Sequence, residues 1–221
     1  MILPEQIIWV IPGLFYLLDN FVTLQTSQFL FFQDSTYRWR SKLDVFPFTW
    51  KSKSLYWLNP LTPYTCAFKL NWSYTDAQAF QKVGESRILL WTHSAKCLTL
   101  TGTLSFILLF LVGPLITHFD SLTDAILIIT PIHILLVFCT GAILAKKKDQ
   151  AYVWKVIFEL ILCPGYLPNI SRRYTIDVNL QNTNGIAVAQ QLMSSEDAKE
   201  LFDRINEIVS EQSASDLEHP K

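Results

Sequence analysis

Residues 99–118, TLTGTLSFILLFLVGPLITH, decide the fold class. They contain no Asp, Glu, Lys or Arg. As a helix rising about 1.5 Å per residue, such a run is about 30 Å long, the thickness of a bilayer's hydrocarbon core. Residues 125–145, AILIITPIHILLVFCTGAILA, form a second run of the same kind. Only FDSLTD, residues 119–124, separates the two. A linker that short makes them antiparallel neighbours, so the sequence predicts a two-helix transmembrane hairpin over 99–145.

A third apolar stretch, IIWVIPGLFYLLDNFVTL, covers residues 7–24 and is interrupted by Asp19-Asn20. A charge inside a span costs several kcal/mol unless it snorkels or is paired. Segment 1–24 therefore has two readings, a third span with Asp19 turned toward the hairpin or a helix lying in the membrane interface. We carry the third span as the working expectation. A cleaved signal peptide fits poorly, because MILPEQ has no basic side chain and no A-x-A-like site follows.

Composition agrees with a membrane protein that has sizeable water-facing parts. Half of the 221 residues are hydrophobic, with seven Trp and eight Tyr, and amphipathic rings gather at membrane–water interfaces. The four cysteines, Cys66, Cys97, Cys139 and Cys163, form no C-x-x-C, so no zinc or redox motif is readable. They are expected to be free thiols.

Charge is distributed unevenly although the net is only −1. Residues 25–98 carry nine basic and four acidic side chains, and residues 146–173 carry six and two. The hairpin tip has only Asp120 and Asp124. Basic loops stay on the cytoplasmic side. The sequence thus predicts the tip outside, both flanks in the cytosol, and a multi-pass protein of the plasma or bacterial inner membrane with a cytosolic C-terminus. Two N-x-S sequons, at Asn71 and Asn169, fall on the cytosolic side and should be silent.

Residues 25–98 interleave aromatic and basic side chains, including Arg38 and Arg40. Beside a span this reads as a membrane-surface region resting on anionic headgroups rather than a nucleic-acid binder. Asn59-Pro60 and Thr62-Pro63 mark turns, 69–74 suits a short strand, and Thr75 can cap a helix through Asp76, Ala79 and Phe80.

Segment 146–173 opens on Lys146-Lys147-Lys148, a stop-transfer cluster. Residues 152–162, YVWKVIFELIL, predict an amphipathic helix in the interface, anchored by Trp154, with Lys155 and Glu159 paired at i, i+4. Arg172 and Arg173 read as further membrane-surface cations. From 174 the chain becomes acidic, with nine acidic and three basic side chains. Alternation over 174–180, the Asn184-Gly185 turn signal and a strand at 186–189 predict two strands. A helix capped by Ser194 follows, its apolar stripe running from Ala198 to Val209. Residues 174–212 are thus expected to be a small cytosolic α+β (ββα-like) domain and 213–221 a disordered tail. The fold class expected is an integral membrane, mainly α protein.

No catalytic pattern and no fixed-period repeat is present. Polar residues inside the membrane are the natural candidates for chemistry, and these are Asp19 and His133. His133 reads first as a neutral interhelical hydrogen bond, with a ligand or proton-relay role behind it. His93 and His118 share no level with it on straight helices, so neither a haem nor a metal is expected. Gly141 and Ala145 form a small-xxx-small pair suited to close helix contact.

The function expected is a non-enzymatic membrane scaffold or accessory protein that presents its cytosolic part to a protein partner or a second copy. The alternatives are a membrane enzyme or redox protein using His133, Asp19 or a cysteine, and a small oligomeric channel or transporter. No catalytic residue and no cofactor are assigned, and the bilayer is the one partner expected on composition alone.

Overall fold

The computed structural model describes residues 4–25, 27–43, 49–50, 53–72, 81–146, 148–178, 180 and 184–218. They fall into two compact units. The first comprises Met1–Val22, Trp57–Thr65 and His93–Thr175; the second comprises Thr23–Tyr56, Cys66–Thr92 and Ile176–Lys221. Thr75, Asp76, Ala79, Phe80 and Lys147 lie outside the described residues.

In the first unit, a 3-10 turn at Pro4–Trp9 leads into α1, Val10–Leu18. Helix α2, Gln81–Ile107, enters from the second unit. It passes through a π-helical turn at Leu108–Val112 into α3, Gly113–Phe119. Pro114 explains the break, since its ring has no N–H and clashes with the carbonyl four residues back; the wider π turn absorbs both. Two residues later α4 begins, Leu122–Leu144, capped by Ser121, whose Oγ accepts from Asp124 N at 3.1 Å. Two helices, Ile88–Phe119 and Leu122–Leu144, are therefore long and apolar enough to cross a membrane.

Helix α5, Gln150–Leu162, differs from the expectation of a helix lying flat in the interface. It climbs back along α4. A Cβ placed on Gly141 would lie 2.6 Å from Ile157 Cδ1, and His133 Nε2 lies 3.3 Å from Leu160 O. Later residues of α5 meet earlier residues of α4, so the two run antiparallel. The sequence explains why. Val153, Val156, Ile157 and Leu160 are buried while Trp154, Phe158 and Leu162 are exposed, so α5 is apolar nearly all round and has a face to give to α4.

A 3-10 turn at Pro164–Asn169 then reverses the chain into α6, Ile170–Ile176. The turn fits because glycines stand at its two closest approaches, Gly102 facing it and Gly165 within it. A Cβ on Gly102 would lie 2.7 Å from Pro168 O, and one on Gly165 would lie 2.1 Å from Pro12 O. Going back down, Ser171 Oγ meets Thr99 Oγ1 at 3.2 Å. Lys148 Nζ sits 5.0 Å from the Tyr152 ring centroid and 5.7 Å from that of Tyr174, one on each leg. Helix α5, the turn and α6 thus make a V: its first leg passes His133 at Leu160, its turn meets Gly102 at Pro168, and its legs open at the Lys148 end of α4.

The second unit holds the β structure. One sheet has the order β1 (Phe21–Gln25), β5 (Lys53–Trp57), β4 (Thr49–Trp50). The other has the order β3 (Trp39–Lys42), β2 (Gln28–Gln33), β6 (Ala67–Asn71), antiparallel throughout, with Phe31 opposite Ser41 and Phe68. Phe29, Leu30 and Phe31 are fully buried, and the Phe31 and Trp39 rings stack at 4.6 Å. The fold is mixed α+β, and its strands lie in the segment predicted as a membrane-surface region, except β1, which takes the last residues of the stretch 7–24 predicted as a membrane helix.

The two strands predicted after residue 174 are not strands. Residues 185–192 form α7, Gly185–Leu192. Asn184 is its N-cap rather than a hairpin turn: Oδ1 accepts from Ile186 N at 3.1 Å and Ala187 N at 3.2 Å. Burial does not follow the alternation expected at 174–180, since Thr175 is fully buried and Ile176 only half-buried, and residues 174–176 are the last of α6 rather than the opening of a strand. Helix α8, Ser195–Glu218, starts after Ser194, whose Oγ accepts from Asp197 N at 3.2 Å, and buries Ala198, Leu201 and Ile205. It runs on through residues 213–218 instead of fraying at 213.

The close approach at the V makes a prediction of inverted sign. Glycine to alanine inside a helix ordinarily stabilises by up to about 1 kcal/mol. Gly102→Ala and Gly165→Ala should instead lower stability by roughly 1–3 kcal/mol through overpacking against backbone. Thermal unfolding of the purified protein in mild detergent reads this; a raised midpoint for either variant would contradict the packing.

Candidate functional site

The polar side chains of the first unit gather where α6 meets the end of α1 and the 57–65 loop. Arg172, on α6, is the centre and is 2% exposed. Its Nη1 donates to Asn20 Oδ1 at 2.6 Å. Its Nη2 lies among four oxygens: Asn59 O at 2.9 Å, Thr62 Oγ1 at 2.7 Å, Thr65 Oγ1 at 3.1 Å and Thr62 O. The loop presents these because it is wound tight by Asn59 and the two prolines, with Thr62 N on Asn59 O and Thr65 N on Thr62 O. Asn20 is fully buried, and its Nδ2 donates to Tyr16 O at 2.7 Å. Tyr16 completes the arrangement by donating its hydroxyl to Pro60 O.

Arg173 points elsewhere, because successive helical residues are about 100° apart. Its Nη2 donates to Glu159 Oε2 at 2.9 Å, its Nε lies 3.5 Å from Asp19 Oδ1, and its guanidinium carbon stands 4.9 Å from the Tyr166 ring centroid. Lys155 Nζ lies 3.8 Å from Glu159 Oε1, as the i, i+4 spacing requires. Burial pushes the Asp19 carboxyl up to about 7, against the pull of the Arg173 guanidinium. Its Oδ2 and Asn169 Oδ1 are buried without a hydrogen-bond partner among the described residues.

The residues singled out from sequence fall in different places. Asp19 pairs with Arg173 and not with His133. His133 is 7% exposed and sits against Leu160 O on α5. Arg172 and Arg173 were read as membrane-surface cations; Arg172 is instead in the interior, because the V folds α6 inward onto neutral acceptors. Gly141 is buried against Ile157 of its own chain, and Ala145 is exposed. Lys146 and Trp154 are exposed, and Lys148 is half-buried over its two tyrosines.

In the second unit, Arg38 is exposed. Arg40 is held by carboxylates rather than left for headgroups, with Asp34 Oδ2 at 3.5 Å and Asp197 Oδ1 as its partners. Hydrogen bonding, first from the Thr36 hydroxyl, holds the Asp34 carboxyl below its ordinary range. A cavity of 360 Å³ between β3 and α8 is lined by Arg40, Lys42, Asp197, Glu200 and Arg204, with charges of both signs.

Sequence reasoning missed the acceptors of Arg172, namely Asn20, Asn59, Thr62 and Thr65. The available signal was a buried-looking Asn beside Asp19, and an Asn-Pro, Thr-Pro loop with many free carbonyls. All four cysteines are free thiols. Among the described residues no three His, Cys, Asp or Glu converge to hold a metal. The chemistry around Arg172 and Arg173 is that of a hydrogen-bonded strut and a compensated ion cluster. No protein-family model, curated protein or solved structure matches the chain.

Two outcomes follow for this cluster. Arg172→Met strands several buried oxygens at once and should cost about 3 kcal/mol or more, well beyond Arg173→Met, in unfolding from detergent. Asp19→Asn should change the pH response. Between 3.8 and about 7 the folded chain keeps a proton on Asp19 that the unfolded chain has released. Stability from that group is therefore full below this window and falls as pH rises through it. The variant lacks that loss, so the difference in midpoint between Asp19→Asn and wild type should grow in the variant's favour from pH 4 to 7 and then level off.

Proposed function

We propose that this chain is an integral membrane protein with two spans, Ile88–Phe119 and Leu122–Leu144, and a re-entrant V made by α5 and α6. The observation that carries the reading is the exposed surface of the two long helices. Leu100, Leu111 and Leu115 on one and Leu127, Leu135 and Phe138 on the other are 50–67% exposed. Only 33% of the apolar 18-residue stretch of each candidate span is buried, whereas a long core helix of a water-soluble protein is mostly covered. Side chains of this kind in a continuous belt belong in hydrocarbon or under a partner.

The V supports the same reading. Irregular backbone is tolerated at membrane depth where it is buried in protein. The Pro164–Asn169 turn meets that condition, since Leu167, Pro168 and Asn169 are buried. Both its legs open at the Lys146–Lys148 end, so it enters and leaves on one side. Basic excess on both flanks of the hairpin supports a cytosolic location for that side. Helix α1 starts against the other end of the hairpin, with Trp9 Nε1 donating to Thr117 Oγ1 at 3.0 Å, and it covers the hairpin without the length of a full span.

The role we assign is non-enzymatic. The membrane part anchors the second unit in the cytosol at a plasma or bacterial inner membrane, and the acidic α8 presents that unit to a basic protein partner. Support comes from the structural use of the polar groups: Arg172, Arg173, Asp19 and Glu159 are spent on one another and on the fold. Two measurements test the reading. The protein should remain in the pellet after alkaline washing of membranes. With the native cysteines replaced by alanine, Ser121→Cys should react with a membrane-impermeant maleimide from outside and Lys146→Cys only after the membrane is opened. Recovery in the supernatant, or the reverse labelling, would overturn it.

A further inference from the structure

An apolar cavity of 260 Å³ lies between the N-terminal segment, the hairpin and the point of the V. Ile8, Trp9, Leu109, Ile129, Ile161 and Pro164 are among its walls, and His133 and Thr130 supply its polarity from one face of α4. That size is near the lower edge of ligand cavities, about 300–1,000 Å³.

His133 decides what the cavity would hold. Its Nε2 lies 3.3 Å from Leu160 O, and a carbonyl oxygen only accepts, so the hydrogen of that contact is on Nε2. No carboxylate lines the cavity to compensate a buried imidazolium. The ring is therefore neutral and its Nδ1 is a lone pair. That atom is buried and has no hydrogen-bond partner among the described residues. A buried acceptor left without a donor carries its desolvation cost uncompensated. What it lacks is a hydrogen-bond donor.

We propose that this cavity binds an aliphatic alcohol drawn from the bilayer, its hydrocarbon chain against the isoleucines and its hydroxyl donating to His133 Nδ1. Thr130, one turn earlier on α4, lies in the same wall. Nδ1 has no water-accessible surface, so the guest reaches it only as the side chains around it shift. A guest with only carbonyl or ether oxygens has nothing to give to Nδ1 and is disfavoured by the same argument. Entry from the bilayer rests on the membrane reading above, whereas the pairing with His133 does not.

The test uses the full chain in discs of phosphatidylcholine, whose headgroup has no O–H or N–H donor. A long-chain alcohol bearing a diazirine is the probe, and its methyl ether is the control. The alcohol should label peptides spanning 126–134 roughly tenfold more than the ether, the worth of one buried hydrogen bond. The His133→Phe variant should lose that preference. In the wild-type protein the imidazole Nδ1 resonance in nitrogen-15 spectra should shift on adding the alcohol and stay put with the ether, a readout independent of how the variant folds. Equal labelling by both probes, or labelling with Nδ1 unmoved, would sink the proposal. Failure of the chain to enter discs would count against the membrane reading instead, and the same two probes in detergent would still decide the cavity.

Discussion

A guanidinium cannot be sealed from water without acceptors, because an unsatisfied buried ion costs several kcal/mol. Arg172 finds them on segments more than a hundred residues away, at Asn20 and along 59–65. That constraint fixes much else in the first unit. Helix α6 has to lie where α1 ends. The loop has to turn its carbonyls inward, which Asn59 and its two prolines make it do. The V has to fold back far enough to bring residue 172 to that point, and Gly102 and Gly165 are the positions that let it. Tyr16, Asn20 and Asn169 are a secondary layer, each bonded to backbone or to one another, that keeps α1 from sliding past the turn.

The second constraint is the surface. Apolar side chains on the long helices are presented outward on several faces at once, and the polar groups are turned inward. In water that arrangement has the hydrophobic effect working against it on the outside. In hydrocarbon the outside is neutral, and interior hydrogen bonds such as Thr140 to Thr101 at 3.2 Å supply direction that apolar packing lacks. One solvent thus accounts for both the greasy exterior and the polar interior.

How much of this was legible in the sequence depends on range. The two long helices were, since lack of charge over twenty residues is a local property. So were the Ser194 cap, the stripe from Ala198 to Ile205 and the Lys155–Glu159 pair, all set by neighbours three or four apart. Of the strands of 21–71 only β6 was, in part, since the strand expected at 69–74 overlaps Ala67–Asn71; the others were not, because a run such as FLFF at 29–32 is buried on both faces and shows no alternation. Asn184-Gly185 misled for a sharper reason: Asn is both a turn residue and a strong N-cap, and only the close approach to Asn71 O, 2.6 Å from a Cβ on Gly185, selects the cap. The V was out of reach, since nothing near YVWKVIFELIL says which neighbour its apolar surface will meet.

Arg172 and Arg173 show why the candidate site was harder still. In the sequence they are a single basic dipeptide. On α6 their directions differ by about 100°, and that turn gives them opposite electrostatic surroundings. Arg172 faces neutral oxygens, which orient its charge without cancelling it. Arg173 faces Asp19 and Glu159, two carboxylates against one guanidinium. Lys155, 3.8 Å from Glu159, supplies the second cation of that face, so Arg173 sits in a balanced cluster while the Arg172 charge rests on oriented neutral oxygens alone. Neither arginine's role is a property of its own residue type. Both follow from the phase of a seven-residue helix, and that phase is set by where the Pro164–Asn169 turn ends.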